Sequence, residues 1–131
     1  LGKACYLTHG NDLTIITYGA PVHKALEIIK KIDTHTFDLI DLRSLCPLDK
    51  DAIINSVKKT GKAIILQEDS MFGGLASEIS SIIMENCFEY LDAPVIRVAS
   101  LDTPIPFEKS LEDQYLPYDR FEVELDKLLN Y

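Results

Sequence analysis

The chain has 131 residues, of which 47% are hydrophobic and 26% charged. That length and balance fit one globular domain spanning residues 1–131 and argue against a disordered chain. Lys and Arg total 13 and Asp and Glu 21, a formal charge of −8, which argues against a general cationic face for nucleic acid or anionic membrane.

The first element is a short extended run at 4–8 (ACYLT), followed by a turn signal at Gly10, Asn11 and Asp12. Residues 13–18 (LTIITY) are β-branched and apolar and predict a buried strand. Gly19 ends it, Pro21 suits a first helical turn, and Val22, Ala25, Leu26 and Ile29 predict a helix over 21–32. The same unit recurs in kind. A strand at 37–42 (FDLIDL) leads to Asp49 as N-cap, a helix at 50–59 and Gly61 as C-cap. A strand at 62–67 (KAIILQ) precedes Gly73, Gly74 and a helix over 75–89. Residues 95–99 (VIRVA) predict another strand, and 102–117, with Pro104, Pro106 and Pro117, an ordered surface loop. Phe121, Leu125, Leu128 and Leu129 mark a last amphipathic helix.

Strands alternating with helices imply right-handed crossovers. The predicted fold is a three-layer α/β domain with a five-stranded, mostly parallel sheet, and residues 4–8 as its one antiparallel edge strand. Ligands of such sheets gather beyond the carboxyl ends of the strands. Here that edge carries Tyr18 and Gly19, Arg43 and Ser44, Glu68, Asp69 and Ser70, and Asp102 and Thr103.

Known chemistries fit this edge poorly. YGAPVH after the first buried strand lacks the glycines of a dinucleotide cradle, and no GK[ST] P-loop occurs. A phospho-acceptor site would want paired carboxylates where Thr17 and Tyr18 stand. Gly73 and Gly74 read as a tight turn that lets the helix approach its neighbours, ahead of an anion site. Adjacent Glu68 and Asp69 should point apart. His9, His23 and His35 fall on surface segments, away from Cys46 and the loop serines. Cys5, Cys46 and Cys87 are read as reduced thiols, with neither zinc site nor disulfide framework. Lys58, Lys59 and Lys62 read as a solvated helix end. The residues therefore describe a domain without its own catalytic, cofactor or metal site. The opening Leu1 predicts a processed product or an excised piece of something longer.

TIITYGAPVHKALE, IDLRSLCPLDKDAIINSVKKTGKAIILQED, GGLASEISSII and YLDAPVIRVASLDTPIPF together resemble the C-terminal domain of transketolase-like, thiamine-diphosphate-dependent enzymes. The resemblance is strongest to the beta chain of the decarboxylating component of pyruvate or branched-chain (2-oxoisovalerate) dehydrogenase complexes, and runs from about Asp12 to Tyr131. It implies a parent that uses thiamine diphosphate and magnesium to decarboxylate a 2-oxo acid and acylate a lipoyl group. The diphosphate- and pyrimidine-binding domains of that parent are not in this chain, so no catalytic residue or cofactor ligand is carried over. The family's His–Glu–Ala after the third strand is Gln67, Glu68 and Asp69 here, and no role of that histidine transfers. The implied partners are a second copy about a two-fold axis, other domains or the alpha chain, and the small peripheral subunit-binding domain of the acyltransferase core. Asp92 and the carboxylate of Tyr131 are the implied partner-binding positions, and Gly73, Gly74 and Leu75 the expected subunit seam. A turn cap before Pro94 is an equal reading of Asp92. The implied location is bacterial cytoplasm or mitochondrial matrix. A transketolase or deoxyxylulose-phosphate synthase domain, or a stand-alone ligand-binding α/β module, are the alternatives.

Overall fold

The computed structural model describes residues 2–102 and 108–131. Five strands form one sheet: β1 (Cys5–Thr8), β2 (Leu13–Thr17), β3 (Phe37–Asp41), β4 (Ala63–Ser70) and β5 (Ile96–Ser100). Their spatial order is β1-β3-β2-β4-β5. Only β1 is antiparallel, and its register with β3 shifts between Tyr6 and Thr8. The three-layer, mostly parallel architecture expected of the sequence is the one observed.

Alternation along the strands builds the two sides. Leu13 and Ile15 of β2, Leu39 of β3 and Leu66 of β4 face one layer, where α1 (Pro21–Lys30) and α5 (Tyr118–Leu129) lie. Ile16, Ile40 and Ile65 face the other, against α2 (Lys50–Thr60) and α3 (Leu75–Cys87). Both faces of β2 and of the first half of β4 are covered, so Leu13, Ile15 and Ile16 and the run 63–66 are all buried, and the polar residues among them, Thr14, Thr17 and Gln67, are buried with hydrogen-bond partners. The caps stand where their chemistry predicts. The Asp49 side chain accepts from Ala52 N at 3.2 Å and also from Ala4 N at 2.9 Å, which ties the edge strand to α2. Gly61 closes α2 at φ 76°, a left-handed conformation that glycine adopts without Cβ strain.

Several boundaries differ from expectation; α1 ends at Lys30, two residues early. The segment foreseen as a loop over 102–117 contains α4 (Lys109–Tyr115), and the last helix starts at Tyr118, directly after Pro117. Helix α4 buries no residue, so it carries no apolar stripe to read. Instead the Arg120 guanidinium donates to its Gln114 and Tyr115 carbonyls and to Ala99 O of β5. Thr103 and residues 104–107 of that expected loop lie outside the described residues. Helix α3 ends at Cys87 and gives way to one tight turn at Phe88–Tyr90 whose side chains are not buried. Strand β4 runs on to Ser70, where it pairs with Ser100 after a register shift.

One buried polar run crosses the α2 layer. Asp38, 0% exposed near the start of β3, accepts from Gly10 N, Lys59 Nζ and Ser56 Oγ at 2.8, 2.9 and 2.6 Å. The three lysines read as a solvated helix end are each engaged locally. Lys59 pairs with Asp38, Lys62 Nζ donates to Leu128 O at 2.9 Å, and Lys58 lies 5.1 Å over the Tyr90 ring. Such engagement leaves no free cationic cluster in this run for phosphate backbones.

Candidate functional site

The connection from β2 leads to β3 on one side, and that from β3 crosses back to β4 on the other. The topological switch point therefore lies beyond the carboxyl ends of β2 and β4, where doubly wound sheets open their ligand crevice. Here that crevice is bridged. Tyr18, just past β2, donates its phenol to Asp69 Oδ2 at 2.9 Å across the switch point. Tyr118, opening α5, donates to Glu68 Oε2 at 2.6 Å. Tyr18 packs on the α2/α3 side and Tyr118 on the α1/α5 side, so Glu68 and Asp69 reach opposite faces and form no acid–base pair. Tyr118 is the partner that the sequence did not reveal, since a helix-opening tyrosine carries no motif.

Gln67 is the strut behind this edge. Fully buried, it accepts from Ala76 N in the first turn of α3 at 2.9 Å and donates to Ser70 O at 3.0 Å. A Cβ on Gly74 would strike the Gln67 amide and Ser70 O, so glycine is required there by close approach within the chain. The remaining opening, about 380 Å³, is lined by Glu68, Asp69, Glu112, Tyr115 and Leu116. Three carboxylates surround it, and Gln67 already uses an amide of the α3 start. These residues do not fit a diphosphate group, or any anion. Asp102 turns its carboxylate to Phe72 N at 3.1 Å, while Arg43 pairs loosely with Asp41. Among the described residues no three His, Cys, Asp or Glu side chains converge as a metal site, and no helix is long and apolar enough to cross a membrane.

Burial, then the adjoining carboxylate, pushes both phenols well above the ordinary tyrosine range. A raised folded pKa stabilises the protonated form. Above pH ~10 the unfolded tyrosines lose protons that the folded ones keep, so unfolding becomes easier as pH rises. Their contribution is complete below the unfolded pKa and declines toward the folded one. Urea unfolding between pH 8 and 11.5 is expected to show this alkaline loss shrinking in the Tyr18→Phe/Tyr118→Phe double variant. An unchanged slope would mean that the two pairs do not couple to folding.

The other expected site residues fall elsewhere. Asp92 and Tyr131 lie on the opposite edge, where the strands begin. Asp92 N donates to Gly61 O at 2.7 Å beside the start of β4, and its carboxylate sits against Gly61. Tyr131 is 71% exposed and shares a small hollow with Pro94, Ile96 and Leu128. Of the three seam candidates, Gly74 packs on Gln67 and Leu75 joins the α2/α3 core, while Gly73 (φ 72°) faces open space. Beside it stands Phe72, 88% exposed, an aromatic residue not singled out beforehand. An aromatic next to a Gly-Gly turn is the signal that could have marked it.

Fold and edge together define a doubly wound α/β domain with its switch point closed by its own side chains. The family described as "Transketolase, C-terminal domain" matches residues 2–120, and the chain belongs to it. The chain is 39% identical over 132 residues to "Pyruvate dehydrogenase E1 component subunit beta" of Rickettsia felis, covering 99% of this chain and 40% of that protein. It is 38% identical over 135 residues to "2-oxoisovalerate dehydrogenase subunit beta" of Bacillus subtilis, covering 100% of this chain and 41% of that protein. Among solved structures it superposes on "Split gene transketolase, inactive beta4 tetramer" with a TM-score of 0.81 at 28% identity, covering 98% of this chain and 42% of that one. The chain thus spans about two fifths of the length of the curated relatives it matches.

Proposed function

We propose that this domain is the C-terminal, assembly and partner-docking part of the beta chain of a thiamine-diphosphate-dependent 2-oxo acid dehydrogenase. The parent decarboxylates pyruvate or a branched-chain 2-oxo acid and passes the acyl group to a lipoyl arm. The observation that carries this reading is the near-complete alignment with two such beta subunits at 38–39% identity. The bridged, carboxylate-lined strand edge supports a domain that contributes no reacting group and no cofactor ligand, thiamine diphosphate and magnesium being held by other parts of the parent. The parent works in bacterial cytoplasm or the mitochondrial matrix.

Two surfaces serve assembly in this reading. Gly73, Gly74 and Leu75, with the projecting Phe72, form a seam with a second copy about a two-fold axis. The tetrameric state named for the transketolase neighbour supports self-association. Asp92 and Tyr131 receive a basic peripheral subunit-binding domain, whose approach a surface at −8 accelerates.

Calorimetry tests this directly. The 131-residue chain is expected to be silent toward thiamine diphosphate with magnesium, and to bind a basic subunit-binding domain with an affinity that falls as salt rises. Asp92→Lys is expected to weaken that binding about tenfold, roughly 1.4 kcal/mol. Tight binding of the cofactor by this chain alone, or docking insensitive to salt, would refute the assignment.

A further inference from the structure

We propose that the groove between α1 and α5 is a docking site for a basic amphipathic segment of a protein partner, separate from the Asp92 surface. The last turn of α1 and the residues leading to β3 make one wall, and the last turns of α5 the other. The floor is apolar, built from Ile28, Ile32, Leu125 and Leu129. Ile28, Ile32 and Leu129 are only partly buried although they belong to the α1/α5 core. The groove encloses about 470 Å³, room for several side chains of an incoming segment.

Its rim is acidic. Asp33, Glu122 and Asp126 are exposed, and none takes part in an ion pair among the described residues. Lys31 is the one Lys or Arg among the lining residues. Asp12 adds a further carboxylate next to His35, held below the usual carboxylate range chiefly by the Thr36 backbone N–H. An apolar floor under unpaired carboxylates selects an occupant with aliphatic or aromatic side chains flanked by Lys or Arg. A second copy does not meet that requirement. An isologous contact would set two surfaces of net charge −8 together and these same carboxylates near one another. Phosphate backbones and acidic peptides are repelled for the same reason.

The test uses the whole 131-residue chain labelled for amide NMR and three synthetic 14-residue peptides. One carries Leu at helical spacing with Lys elsewhere; the second replaces Lys by Glu; the third keeps Lys and replaces Leu by Ser. The Lys/Leu peptide is expected to bind saturably, with shifts confined to residues 28–35 and 122–130. The other two should bind at least tenfold more weakly. Glu122→Lys/Asp126→Lys changes only exposed side chains and is expected to weaken the Lys/Leu peptide at least tenfold, with native amide dispersion retained. Asp92→Asn should change it less than twofold, which separates this site from the docking surface proposed above. Shifts centred elsewhere, equal binding of the Ser-substituted peptide, indifference to the double charge reversal, or self-association through these same residues would each overturn the proposal.

Discussion

Replacing Asp38 by Ala is expected to lower the unfolding free energy by about 2–4 kcal/mol, because a buried donor that loses its acceptor costs about 1–3 kcal/mol and the Gly10 N–H has no other. Its carboxylate is fully buried and accepts three hydrogen bonds, from Gly10 N, Lys59 Nζ and Ser56 Oγ. Behind Ser56 the run continues to Thr14 and Thr60, each contact at 2.7 Å. Ser56 donates to the carboxylate and can accept from Thr14, while the Thr60 hydroxyl has both Thr14 Oγ1 and the Lys62 carbonyl, at 3.1 Å, within reach. The Ser56 hydroxyl points at Asp38, and a Thr14 hydroxyl that donates to Ser56 strengthens that bond. Removing the charge strands a buried N–H and reverses the reason for that orientation. The Lys59 side chain is 43% exposed and can turn to water, so the ion pair itself supplies the smaller share. Asp38→Asn keeps the shape and an acceptor and should cost about half as much. Urea denaturation at pH 7 reads both: a lower midpoint at unchanged slope is expected. A loss under ~1 kcal/mol for the Ala variant would show that the run does not hold β3 to α2. Against a total stability of about 5–15 kcal/mol, the expected loss is enough to leave a marginal domain partly unfolded.

The alternation of apolar β-branched runs with amphipathic stripes made the layers readable, because each burial face leaves a period in the sequence. Asp49 and Gly61 were legible for the same local reason, since a cap needs only its own turn. Helix α4 was not, because it covers no core and is held by Arg120 rather than by an apolar face. Asp38 shows the other limit. In FDLIDL it reads simply as part of a strand, and its partners lie 28, 21 and 18 residues away. The candidate site divides along the same line. The loops at the strand ends follow from topology, but that Tyr18 and Tyr118 close the edge depends on which strands adjoin and where α5 begins. Asp92 and Tyr131 were not recovered from residue chemistry at all; they came from family resemblance, and the structure supplies only their shared edge and exposure.

Gly10→Ala is expected to cost about 3 kcal/mol, the upper part of the range for overpacking a close-packed interior. In sequence, Gly10 is merely the first residue of a turn signal, and its backbone needs no positive φ. Its requirement is steric. An added Cβ would run into Phe37 N and the carbonyl carbon of Thr36, the main chain entering β3. Main chain locked in a parallel ladder cannot move aside as a flexible side-chain tip would. The methyl therefore forces the 9–12 turn outward and stretches the bond from Gly10 N to Asp38. That shared bond makes the two substitutions couple. The Gly10→Ala/Asp38→Ala double variant is expected to lose less than the sum of the single losses, by about 0.5–1 kcal/mol, since the second change finds the bond already broken. Urea midpoints of the four proteins of this cycle measure the coupling. Strict additivity would mean that the turn and the buried carboxylate act independently, and that the clash with β3 alone sets the requirement for glycine.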